Sequence, residues 1–252
     1  MRALVKIPDR GDRYTDRIKV GLIKAGYEVV DELRPEVGDV LLIWNRFTAY
    51  EAIASEFELA GADVLVFENG YLGREWNGKT WFSIAANHHN GAGWTPNLSY
   101  RWDDKYGFEL PDWRQNEGEI VALSQRGFGE KGITMPKEWT PPINCRIRPH
   151  PGENQIISLN DDLKDARLVI TWGSGAAIKA LAMGIPVIYE FKNWIGRDAA
   201  THVSNANFNN PHKGDRVITF RKVFSAMWSI DEIEKGDPFA VFKYFNYGKL
   251  NK

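Results

Sequence analysis

The sequence predicts an α/β protein built from two doubly wound parallel-sheet units, with helices at the C-terminus. Three observations carry that prediction. Short, nearly all-apolar runs at 37–44 and 168–171 read as strands covered on both faces. Those runs alternate with segments of helical period. The alternation occurs twice, on either side of a stretch at 69–117 rich in Gly, Asn and Trp. The economical division is a first unit at 1–117, which includes the long loop region 69–117, and a second at 118–252.

In the first unit, residues 3–7 form a short apolar strand that runs into a polar loop ending at Arg13. Thr15 is placed to cap a helix running to Ala25, with Ile18 and Leu22 along one side. Gly26 is a helix stop. Further strands are expected at 27–30, 37–44 and 63–67, with a helix at 48–59 before the last of them. The region 69–117 holds one strand-like piece at 80–84 and otherwise reads as functional loop.

In the second unit, strands are expected at 120–124, 145–148, 168–171 and 186–189. A short helix is expected at 161–166, and a longer one from Gly173-Ser174-Gly175 to Met183. Amphipathic helical material runs from about 217 to 247, interrupted at Gly236-Asp237-Pro238, and these helices are placed to pack back on the first unit.

The composition narrows the function classes. One cysteine in 252 residues excludes an internal disulfide and a multi-cysteine metal site. No run approaches the ~18 apolar residues of a membrane span. The start lacks the apolar stretch of a secretory signal, so a cytoplasmic protein with no membrane partner is expected. Residues 1–120 carry 14 Lys/Arg against 20 Asp/Glu, whereas 121–252 carry 18 against 13. A basic second half suits an anionic ligand such as a nucleotide, and chance scatter over a solvated surface fits equally well.

The segment 168–188 is the most informative. A buried strand enters Gly173-Ser174-Gly175 and then a helix. Glycines there allow close approach of a ligand and a positive φ. The helix N-terminus offers N–H groups to a phosphate, with Ser174 as cap and hydroxyl donor. The alternative is a plain strand-to-helix turn. A second constellation is the strand Cys145-Arg146-Ile147-Arg148 followed by Pro149-His150-Pro151. Period-two alternation puts Arg146 and Arg148 on one face, with His150 at the strand's end. A third is Arg126-Gly127-Phe128-Gly129, a flexible loop with an arginine suited to a diphosphate, or a bare loop. Acids at strand ends, Asp9, Asp12 and Glu68, are candidate general bases, and so is His89. Adjacent His88 and His89 do not have metal-ligand spacing.

Taken together, these residues resemble the nucleotide-sugar half of GT-B glycosyltransferases. The strand ending in Arg148-Pro149-His150-Pro151, followed by Gly173-Ser174-Gly175 and Gly184-Ile185-Pro186-Val187, is similar to the capsule-polysaccharide (Kdo-type) and sialyl-type transferases. Sugar-nucleotide epimerases share a similar pattern. More of the chain resembles a short, phage-encoded glycosyltransferase-like family. The matching pieces are Glu68-Asn69-Gly70-Tyr71-Leu72-Gly73, His89-Asn90-Gly91, Gln125-Arg126-Gly127, the Arg-Pro-His-Pro run and 228–233.

The resemblance implies two Rossmann-like units with a cleft between them. It implies transfer of a sugar, glucose from UDP-glucose, to the hydroxyl of a 5-hydroxymethylpyrimidine such as hydroxymethylcytosine in phage DNA. His150 and Ser174 would contact the donor phosphates, and Arg126 or Arg148 would neutralise the leaving group. Gly127, Gly173 and Gly175 would shape that site, and Glu190 is placed to bind the ribose. Glu68, His89 or Asp12 would be the base. No metal or other cofactor is required, because a helix dipole and cations stabilise the departing nucleotide. Trp76, Trp81, Trp94 and Trp102 are available to stack on bases. A transferase or epimerase acting on carbohydrate, and a non-catalytic nucleotide-binding module, are the competing readings.

Overall fold

A computed structural model of the chain describes residues 1–8, 13–47, 49–105, 109–115, 117–127, 133–150 and 157–245. In chain order its elements are β1 (Arg2–Lys6), α1 (Tyr14–Lys24), β2 (Glu28–Val30), β3 (Val40–Trp44), α2 (Ala49–Leu59), β4 (Asp63–Asn69), β5 (Glu75–Trp76), β6 (Lys79–Ala86) and α3 (Tyr100–Lys105). Then come β7 (Glu119–Leu123), β8 (Arg146–Arg148), α4 (Leu159–Asp162), β9 (Ala166–Thr171), α5 (Ala176–Ala182), β10 (Val187–Tyr189) and β11 (Thr201–His202). The chain ends in α6 (Arg216–Ala226), β12 (Met227–Ser229), α7 (Ile230–Lys235) and α8 (Asp237–Phe245). No helix among the described residues is long and apolar enough to cross a membrane.

Two compact units emerge. The first comprises Met1–His89, Gly93–Leu98 and the tail from Phe224; the second comprises Asn90–Ala92 and Ser99–Val223. The sequence reading divides the chain at 117 and packs the C-terminal helices back on the first unit; here 99–117 groups with the second unit and the tail from Phe224 with the first.

The first unit has a seven-stranded sheet in the order β12-β6-β4-β3-β1-β2, with β5 on β6. Strands β4, β3, β1 and β2 run parallel, while β6 and β12 extend the sheet antiparallel. Alternate side chains of the central strands feed two cores, as a pleated strand requires. Leu42, Phe67 and Phe82 pack with Ile18 and Leu22 of α1 and with Trp228, Ile233, Phe239 and Phe242 of the tail. Leu41, Ile43, Val64 and Val66 pack with Ala54 and Phe57 of α2. The tail docks closely: a Cβ at Gly21 would lie 1.8 Å from the Ile233 carbonyl oxygen, so α1 meets α7 there only as glycine.

Two expectations are corrected in this unit and one is extended. Helix α1 begins at Tyr14 behind Arg13, which has φ 56°, and Thr15 is inside the helix rather than its cap. The strand-like piece expected at 80–84 is the eight-residue β6, a member of the sheet. The helical material after 217 is interrupted by a strand, because Met227, Trp228 and Ser229 pair with Ser83, Phe82 and Trp81.

The second unit has five strands in the order β11-β10-β9-β7-β8, all parallel. Its core holds Ala122, Leu168, Ile170 and Ile188. Helix α5 buries Ala177, Ile178, Ala180 and Leu181. Because every strand points the same way, every loop after a strand starts at one edge of the sheet. That is where open α/β sheets bind ligands.

Candidate functional site

The carboxyl edge of the second sheet gathers the residues the sequence singled out. Ser124 to Gly127 follow β7, Pro149 and His150 follow β8, Trp172 to Gly175 follow β9, and Glu190 follows β10. The turn after β9 is held on all sides. The Gly173 N–H donates to Gln125 Oε1 at 3.2 Å, and Asn90 Nδ2 donates to the Gly173 carbonyl. The Ser174 N–H donates to the buried Thr171 Oγ1 at 2.9 Å, and Ser174 Oγ accepts the Ala176 N–H at 3.1 Å. Among the described residues the Gly175 N–H makes no hydrogen bond.

This geometry changes the reasons for the glycines. Neither takes a left-handed φ, and Gly175 has φ −59°. Gly173 is required for space, since a Cβ there would lie 2.9 Å from Phe191 Cβ. The residue that caps α5 is Gly175, with Ser174 one position ahead of it.

A segment from Ile133 to Trp139 lies along the same edge. The Ile133 carbonyl accepts from the Trp172 indole at 3.0 Å, and Met135 Sδ accepts the Gln125 N–H at 3.4 Å. The Trp139 indole donates to Glu190 Oε1 at 2.7 Å. One Glu190 oxygen is thereby fixed, and the other has no partner among the described residues. His202 Nε2 bonds the Glu190 carbonyl at 3.0 Å.

The arginines of β8 are engaged within the unit. Arg148 is buried, pairs with Asp162 and donates to the Ile157 carbonyl at 2.9 Å. Arg146 pairs with Glu119 at 2.7 Å and Asp162 at 3.0 Å. The two do share a face, and that face is closed by carboxylates. Arg126 is exposed and His150 half-buried, each with partners of its own.

In the first unit, Glu68 stands at the end of β4, beside the end of the parallel β3. Asn45, with φ 65°, donates from Nδ2 to Glu68 Oε1 at 2.5 Å, and its Oδ1 accepts the Arg46 N–H at 2.6 Å. Arg46 is buried between Glu51, at 2.6 Å, and Glu58, at 2.7 Å, and donates to the Asn87 carbonyl at 2.6 Å. Burial alone would lower its pKa; the two carboxylates outweigh that and raise it. The Arg46 guanidinium in turn holds the Glu51 carboxyl below its usual range.

His88 and His89 stack with centroids 4.9 Å apart. His88 Nδ1 accepts the His89 N–H at 2.9 Å, which leaves its proton on Nε2. Burial, and then the nearby Arg46 charge, pushes the His88 pKa down to about 4. Burial and its neighbour push His89 down to about 3, and His89 Nδ1 is shielded without a hydrogen-bond partner among the described residues.

Asp9, Asp12, Phe128, Gly129 and Pro151 lie outside the described residues. Trp81 and Trp102 are buried, Trp81 in the first unit and Trp102 stacked on Phe220 in the second. Among the described residues no group of three or more His, Cys, Asp or Glu is placed to hold a metal. The sequence analysis missed Thr171, Trp139 and the Asn45–Arg46 pair. Thr171 was legible as the polar end of an apolar strand; Trp139 gave no local signal.

No family model and no curated protein matches the sequence. Two solved structures from Thermosulfurimonas dismutans are similar in fold. One is KpsC, beta Kdo 2,7 transferase, with a TM-score of 0.50 and 13% identity, covering 100% of this chain and 99% of that one. The other is KpsC, beta Kdo 2,4 transferase, with a TM-score of 0.50 and 11% identity, covering 97% of each chain. At such identities the likeness is one of fold: this is an α/β chain of parallel sheets and helices similar in fold to the KpsC transferases.

Proposed function

We propose that the chain is a glycosyltransferase whose nucleotide-sugar donor sits at the carboxyl edge of the second unit's sheet. The observation that carries the reading is the convergence there of the loops after β7, β8, β9 and β10, with a rigid Gly-Ser-Gly turn at their centre. Its fold neighbours are Kdo transferases, which supports sugar transfer as the reaction class.

In this reading Ser174 Oγ, the Gly175 N–H, Arg126 and His150 face the donor phosphates. The second Glu190 oxygen accepts a ribose hydroxyl. Arg148 supports β8 from within, since Asp162 neutralises it. Glu68 takes the acceptor's proton as the acceptor oxygen bonds to the anomeric carbon. The bond from that carbon to the donor phosphate breaks, and its electron pair leaves on the nucleotide. Cations and amides that fit this leaving group are where rate is gained. Glu68 is preferred to His89 because its carboxylate stands at the carboxyl end of β4 and is oriented by Asn45.

The acceptor follows the sequence resemblance: the hydroxyl of a 5-hydroxymethylpyrimidine in DNA, with UDP-glucose as donor. The test is incubation of the purified chain with UDP-glucose and hydroxymethylcytosine DNA, followed by nucleoside mass spectrometry. A hexose adduct is expected. Donor hydrolysis without an adduct moves the acceptor to carbohydrate. No donor turnover and no nucleotide binding leaves only the fold.

A further inference from the structure

Gly173 is gripped through both of its backbone polar groups by side chains. Gln125 Oε1 accepts its N–H at 3.2 Å. Asn90 Nδ2 donates to its carbonyl oxygen. Asn90 is buried and comes from a three-residue segment, Asn90–Ala92, that belongs to the second unit although the chain before and after it belongs to the first. Its backbone has φ 56°, a region that asparagine tolerates better than most residues. The Gly173 side is already filled by Phe191, so the turn cannot relax in that direction. The Ser174 N–H, in the same peptide group as the Gly173 carbonyl, donates to Thr171 Oγ1.

A change in φ or ψ of Gly173 would swing Ser174 Oγ and the Gly175 N–H together. Holding the peptide groups on both sides of Gly173 removes this freedom before any ligand arrives. Preorganisation of this kind adds affinity by removing an ordering cost.

We propose that Asn90 and Gln125 are positioning residues that set the Ser174–Gly175 turn to receive the donor phosphate. They act through the backbone of Gly173 and do not themselves touch the donor. The inference rests on the donor site proposed above.

The test uses the whole chain and two substitutions with different chemistry. Asn90→Asp keeps size and backbone preference but cannot donate to the carbonyl. Asn90→Gly keeps the backbone freedom and removes the side chain. UDP, GDP and CMP are titrated calorimetrically into each protein, and melting is recorded without nucleotide. The expected result is that one nucleotide binds the wild type and that both variants bind it about tenfold more weakly. Their ligand-free melting stays cooperative, and in turnover the donor KM rises while kcat at saturating donor holds.

Gln125→Ala releases the opposite grip. It is expected to match the Asn90 variants, and it decides the matter if they fail to melt cooperatively. Wild-type affinity in a folded Asn90 variant overturns this inference alone. Absence of binding of all three nucleotides to the wild type overturns the proposed function, and this inference with it.

Discussion

Glu68 and Asp63 occupy opposite ends of the same strand and meet different surroundings. Glu68 is oriented by Asn45 at the carboxyl end of β4, where it suits a base. Glu68→Gln keeps that hydrogen bond and removes proton acceptance. Transfer is expected to fall about 100-fold or more with nucleotide affinity unchanged, read by product formation and by calorimetry. Near-normal turnover would pass the role to another group. Asp63, at the amino end, is pushed up to about 6 by burial. Its folded pKa exceeds its unfolded value, so the ionised form costs stability above about pH 6, and that cost disappears as the pH falls towards 4. Asp63→Asn is therefore expected to raise the melting temperature at pH 8 and to leave it unchanged at pH 4. A gain of equal size at both values would show that charge is not the cause.

Glu68, Ser174 and Glu190 were legible in the sequence because strand ends are marked by the change from apolar to polar residues. The Arg46–Glu51–Glu58 cluster was not, since its members are assigned to one another only when α2 folds onto the sheet. Nor was the engagement of Arg148 by Asp162, fourteen residues along the chain.

At the scale of elements, apolar runs located the parallel strands other than the two-residue β11 to within a few residues. Strand β12 escaped because it is three residues between two helices, and its pairing partner β6 lies far back in the chain. The step from β12 into α7 is fixed by a capping box. Ser229 Oγ accepts the Glu232 N–H at 3.4 Å, and Glu232 Oε2 accepts the Ser229 N–H at 2.9 Å. Ser229 is buried, so water cannot replace the bond. Ser229→Ala is expected to cost about 1–2 kcal/mol, read as a lower midpoint in urea with an unchanged slope. A loss within ~0.5 kcal/mol would mean the box is not needed.

At the scale of the whole molecule, the tail completes the first unit. It supplies β12 to the edge of the sheet, and Trp228, Ile233, Phe239 and Phe242 to the core beneath α1. Ending the chain at Val223 is expected to abolish cooperative unfolding of the first unit, because those apolar faces lose their cover. Limited proteolysis would then cut within 1–89 and spare the second unit. A truncated chain with a protected first unit would contradict this. Gly21→Ala tests the same docking more gently. It presses a methyl group onto the Ile233 carbonyl, and its melting temperature is expected to drop by several degrees.

Local pattern in the sequence was enough for the α/β class, most of the parallel strands, and the strand-end positions of the Ser174 turn and of Glu68. These depend on patterns a few residues long, where the backbone period and the side chain's polarity speak directly. Three features came only from the folded chain: β12 of the tail pairs with β6, Asn90 and Gln125 grip the backbone of Gly173, and carboxylates occupy Arg146 and Arg148. Each of those depends on partners distant in the chain, and local periodicity carries no record of which distant surface a residue will meet.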